Sequence, residues 1–101
     1  MYDMANTKKL KTLGKGAPQA MDAFWAFDKA VFEDGALSAQ TKQLIAVAVA
    51  LTTQCPYCIE IHTTAARDAG ATSAQLAEAA LVAAGIRAGG AITHATHLLK
   101  E

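Results

Sequence analysis

Net charge is the first thing this chain lacks. Nine basic and nine acidic residues cancel over 101 positions, so no long-range field draws nucleic acid or an anionic membrane surface. Charge of either sign is scarce: 18% of residues are charged and 52% apolar, against roughly 25% and 45–50% in ordinary domains. With only two cysteines, a fold stapled by a disulfide framework is excluded. The longest apolar run, Leu44–Leu51, falls far short of the ~20 residues of a bilayer-spanning helix. The opening Met1-Tyr2-Asp3-Met4-Ala5-Asn6 lacks the basic-then-apolar layout of a secretory leader. The expectation is a soluble, cytoplasmic protein with neither nucleic acid nor membrane as partner.

A chain this short is read as a single domain over residues 1–101 with one modest core. Much of its apolar content is alanine, which favours helix and lets helices approach closely. The surplus of apolar residues over what a small core can hold points to a homo-oligomer. Lys8, Lys9, Lys11 and Lys15 cluster in the polar start, so residues 1–16 read as a flexible, solvated arm.

Beyond the arm, helices follow one another and no strand is expected; the fold class is all-α, a bundle of about five helices. Pro18 suits a first helical turn, and Met21, Phe24, Trp25, Asp28, Val31 and Phe32 recur at helical spacing before Gly35. All the Phe and the single Trp lie in this segment, an aromatic stripe that reads as core or subunit contact. Ser38 is placed to cap a helix from Ala39 to about Thr53. Its run Leu44–Leu51 is apolar on every side, so this helix belongs at the centre. A further helix begins at Cys55 or Pro56 and runs to about Asp68, with Gly70 as its stop. Thr72 and Gln75 form a capping box for the next. Gly85, Gly89 and Gly90 leave two readings there: a break with a fifth helix over 91–99, or one long helix with a flat face.

The chemistry is concentrated in Cys55-Pro56-Tyr57-Cys58-Ile59-Glu60-Ile61-His62. On a helix Cys58 and His62, four apart, share a face, and Cys55 lies one turn earlier on nearly the same side. A thiol at a helix N-terminus has its pKa lowered by the macrodipole and unpaired N–H groups, which favours Cys55 as nucleophile. An imidazole beside Cys58 can take its proton, which favours Cys58. Either way the pair can cycle between dithiol and disulfide. Zinc uses Cys-x-x-Cys as well; a zinc-binding module would need His94 or His97 as an added ligand. Those two histidines otherwise read as ordinary helix C-terminal residues.

The segment from Lys42 through His62, continued by Ala65-Ala66-Arg67-Asp68-Ala69-Gly70-Ala71-Thr72, resembles the AhpD-like alkyl hydroperoxidase group of the carboxymuconolactone decarboxylase superfamily. The resemblance is strong over residues 37–86. It implies an all-helical protein assembling as dimer, trimer or hexamer, without metal or organic cofactor. It further implies reduction of a hydroperoxide or disulfide, with a separate dithiol protein as reductant. In that scheme Cys58 attacks, Cys55 resolves, and His62 relays protons. The group often carries a glutamate twelve residues before the first cysteine; here Gln43 stands there, and an amide cannot accept a proton at neutral pH. Glu60 points about 160° or more away from Cys58 and His62 on the helical wheel. The superfamily's decarboxylases generally lack the Cys-x-x-Cys, which argues against lactone chemistry. A helical interaction module with a vestigial dithiol is the remaining alternative.

Overall fold

The structure, a computed structural model, describes residues 2–100. Among them there are helices and no strands, in the order 3-10 helix Met4–Lys9, α1 (Leu10–Gly16), α2 (Pro18–Phe32), α3 (Ala39–Thr53), α4 (Pro56–Asp68), α5 (Ser73–His94) and 3-10 helix Ala95–Leu98. The five-helix all-α expectation matches this order.

Local signals account for most boundaries. Pro18 and Pro56 both occupy the first turn of their helices, where the missing N–H costs nothing. Ser38 Oγ accepts the Thr41 N–H at 3.1 Å and caps α3. At α5 the capping box closes in both directions: Thr72 Oγ1 accepts the Gln75 N–H at 3.1 Å, and Gln75 Oε1 accepts the Thr72 N–H at 2.8 Å. Gly70 leaves α4 with φ +94°, backbone that favours glycine. Helix α2 ends at Phe32, ahead of Gly35. Helix α5 runs unbroken through Gly85, Gly89 and Gly90 to His94, so one long helix is the reading that stands.

Helix α3 is the centre, packing on α4 and α5 and, less extensively, on α2. Helix α4 runs back along α3, since Gln43 meets His62 and Gln40 Nε2 donates to the Ala69 carbonyl at 3.0 Å. The buried residues are Val47, Ala50, Ala66, Ala71 and Ala83. All are small, so α3, α4 and α5 meet at short range and no large side chain is fully enclosed.

Two features differ from the sequence reading. The polar start is helical over Met4–Lys9 and Leu10–Gly16 and is tied by hydrogen bonds to α4. The stretch Ser73–Leu98, whose most apolar 18-residue window has a mean hydropathy of 1.3, is long and apolar enough to cross a membrane by length and composition. Counting only unbroken apolar runs overlooks it, because isolated polar residues interrupt an alanine-rich helix.

Candidate functional site

Thr53 ends α3, and the chain turns in two residues. Gln54 takes a left-handed conformation, φ 57° and ψ 45°, with its N–H on the Ala50 carbonyl. Cys55 is then extended, φ −97° and ψ 100°, and serves as N-cap of α4. The sequence thus places its first thiol where a Ser or Asp oxygen usually sits: Cys55 Sγ accepts the Cys58 backbone N–H at 3.3 Å. Cys58, in the first turn, turns its thiol back. The two free thiols lie 2.7 Å apart, and both residues are half-buried.

This arrangement separates the two ionisations. The Cys55 thiol is held below its ordinary pKa, chiefly by the hydrogen bond it shares with the Cys58 thiol and then by the Cys58 and Tyr57 backbone N–H groups. Burial opposes these bonds. The Cys58 thiol is pushed up, first by that same bond, then by burial and by the charge that Cys55 carries when ionised. One proton shared by two sulfurs accounts for both directions, and Cys55 is the more readily ionised of the two.

His62 lies one turn beyond Cys58 on α4. Its Nδ1 meets Gln43 Oε1 at 2.8 Å across the α3–α4 contact. An amide oxygen only accepts, so Nδ1 carries the hydrogen and Nε2 keeps its lone pair. Phe32, the last residue of α2, stacks on the imidazole with ring centres 5.1 Å apart and an interplanar angle of 23°. The ring is therefore fixed at one edge by Gln43 and on one face by Phe32. No hydrogen bond joins His62 to either thiol.

Of the residues singled out from sequence, Cys55, Cys58, His62 and Gln43 lie along the α3–α4 hairpin, paired as thiol with thiol and amide with imidazole. His94 and His97 instead lie against each other on the exposed last turns, ring centres 5.4 Å apart and tilted by 35°. Among the described residues no three of His, Cys, Asp and Glu converge on one point, so neither joins the dithiol as a third ligand. Glu60 is engaged elsewhere, accepting from the Tyr2 hydroxyl at 2.9 Å, a bond that raises the Tyr2 pKa. Tyr57, inside the Cys-x-x-Cys, accepts from the Asp3 N–H at 3.3 Å and from Asn6 Nδ2 at 3.0 Å. Its ring also meets that of Tyr2 edge-on, centres 4.9 Å apart. Phe32 was visible in the sequence only as the end of an aromatic stripe; nothing in its spacing marks it as the partner of His62.

The fold is all-α, with two thiols at the corner of two helices and an anchored imidazole one turn along α4. Residues 18–101 match the carboxymuconolactone decarboxylase family, and the chain belongs to that family; its dithiol segment is consistent with the AhpD-like group. It is 51% identical to "Uncharacterized protein 4 in cox locus" of Paracoccus denitrificans, over 98% of this chain and 92% of that protein. An uncharacterized protein of Cupriavidus necator is 42% identical over 82% of this chain and 72% of its own length. Among solved structures, a protein from Methanobacterium thermoautotrophicum superposes with a TM-score of 0.80 at 38% identity, covering 85% of this chain and 97% of that one. An apo carboxymuconolactone decarboxylase family protein from Legionella pneumophila gives 0.77 at 34% identity, covering 89% and 80%.

Proposed function

We propose that this protein is a thiol-dependent reductase whose Cys55–Cys58 pair reduces a hydroperoxide or a disulfide and is itself restored by a separate dithiol protein. The observation that carries this reading is the pair of free thiols 2.7 Å apart at a helix N-terminus. Forming their disulfide needs little movement, and the resulting loop is too small to serve as a staple.

With a disulfide as substrate, the Cys55 thiolate attacks one sulfur and displaces the other as a thiolate. Cys58 then attacks the mixed disulfide, giving the Cys55–Cys58 disulfide and a second substrate thiol. Two electrons leave the protein and two thiols form on the substrate. With a hydroperoxide, a thiolate attacks the outer oxygen and the O–O bond breaks. An alcohol leaves and a sulfenic acid remains, which the other thiol converts to the disulfide with loss of water. The order implied by the family resemblance, Cys58 attacking, requires the Cys58 proton to move first. His62 Nε2 is the available base for that transfer, because Gln43 occupies Nδ1. The order favoured by the lowered Cys55 pKa has Cys55 attack directly.

The test is a free-thiol count on reduced protein before and after one equivalent of an organic hydroperoxide, and separately of a small aromatic disulfide. Wild type is compared with Cys55→Ser and Cys58→Ser. Loss of both thiols in wild type is expected, and the variant that still consumes oxidant identifies the attacking residue. Thiols that survive both oxidants would overturn the reading.

A further inference from the structure

The backbone bonds to the Cys55 sulfur are lightly held. Helix α4 opens on Pro56, which has no N–H, so the donors of its first turn are those of Tyr57 and Cys58. Both serve the Cys55 sulfur, the Cys58 N–H from 3.3 Å. Sulfur is a weaker acceptor than the oxygen of an ordinary N-cap, and these first N–H groups have no partner within the helix. Helix ends fray, and a turn capped by sulfur keeps its shape only with support from outside.

That support arrives at the side chain of Tyr57. Its hydroxyl accepts from the Asp3 N–H at 3.3 Å and from Asn6 Nδ2 at 3.0 Å. Its ring meets that of Tyr2, whose hydroxyl reaches on to Glu60 one turn further along α4. The donors are themselves set in place: Asp3 Oδ1 accepts the Ala5 N–H at 2.9 Å, and the Asn6 N–H goes to the Asp3 carbonyl at 2.8 Å. The 3-10 helix that carries Asn6 packs mainly on α1, and α1 on α2. An open hollow lined by Asn6, Thr7, Leu10, Tyr57 and Ile61 lies beside the ring. Polar bonds and one ring contact, rather than close packing, therefore fix Tyr57. A tyrosine has only two side-chain torsions, so anchoring its hydroxyl leaves its backbone N–H little freedom.

We propose that Tyr57 is a positioning residue of the dithiol site and that residues 2–6, more than fifty positions away, are the clasp that holds it. The clasp keeps the first turn of α4 aimed at the Cys55 sulfur, and the reactivity of that thiol depends on it. Its effect on oxidant reduction rests on the thiol-reductase reading; its effect on Cys55 itself does not.

Iodoacetamide alkylation of the reduced full chain over a pH series, with Cys55 followed by mass spectrometry, tests this. Tyr57→Phe keeps the ring and loses the hydroxyl; Asn6→Ala removes one donor. Loosening the N–H groups raises the Cys55 pKa, so below the wild-type midpoint either variant should alkylate about threefold more slowly, equivalent to roughly half a pH unit. Asn6→Ala should add nothing to Tyr57→Phe, since the bond it removes is already gone. Hydrogen exchange gives a second reading: in Asn6→Ala the Tyr57 and Cys58 amides should exchange roughly threefold faster or more, while that of Ala66, buried further along α4, keeps its rate. Alkylation profiles unchanged in both variants, effects that add in the double variant, or exchange that rises equally at Ala66 would each overturn the proposal. Shifted profiles in a protein that consumes neither oxidant would support the clasp and sink only the reductase reading.

Discussion

Cys55 caps α4 with sulfur where oxygen is usual, and its protonation follows from that placement. The bond shared with the Cys58 thiol, with the N–H groups of Cys58 and Tyr57, holds the Cys55 pKa below the ordinary thiol value. Alkylation by iodoacetamide is therefore expected to persist at pH values where an ordinary thiol is protonated, and to fall away as pH drops through the lowered pKa. Cys58→Ala removes the strongest donor and should move that midpoint upward; a midpoint that stays put would show that the backbone N–H groups suffice. His62 presents Nε2 as its basic nitrogen because the Gln43 oxygen takes the Nδ1 hydrogen. His62→Ala should slow oxidant-driven thiol loss by about 100-fold. Gln43→Glu places a carboxylate where it can share the imidazole's proton, and should speed hydroperoxide-driven thiol loss several-fold. An unchanged rate in a time course would place position 43 outside the relay. The meeting of residues 43 and 62 is anticipated by the family resemblance, whereas the Phe32 stack on His62 arises only when α2 folds across α3.

Helices α3 and α4 and the start of α5 owe their ends to short-range chemistry, and so these ends were legible in advance, whereas the far end of α5 was left open. Ser38, Pro56, Gly70 and the Thr72–Gln75 box act within a few residues of themselves. Thr72→Ala should cost about 1 kcal/mol in a denaturant melt, the usual worth of an N-cap. Gly70→Ala meets left-handed backbone and would bring its Cβ to 3.2 Å from Gln40 Nε2. A loss of about 1–2 kcal/mol is expected from the conformation alone, and a neutral result would show that the α4–α5 turn can adopt another path. The helical course of residues 4–16 was not legible, because a polar segment shows little periodicity. Its order comes from Asp3, Asn6 and Tyr2 meeting Tyr57 and Glu60 more than fifty positions along the chain.

At the scale of the whole molecule, a core of one valine and four alanines encloses little apolar surface, and the large side chains lie mostly outside it. Association between copies, the expectation from the apolar surplus, would make the thermal midpoint of the reduced protein rise with protein concentration. A midpoint constant over a hundredfold dilution would show that the single chain is stable alone. Oxidation of the dithiol should change that midpoint little, since the loop it closes is very short.

The sequence by itself determined the helical class, the positions of the helices around the dithiol and the nearness of Cys55, Cys58 and His62. Those depend on periodicity, caps and spacings that act over one or two helical turns. Tertiary structure alone decided which of the two thiols the final geometry makes the more acidic, what fixes the imidazole and which apolar faces lie uncovered. Each of these depends on groups far apart in the chain, or on a backbone angle such as that of Gln54, which no local pattern encodes.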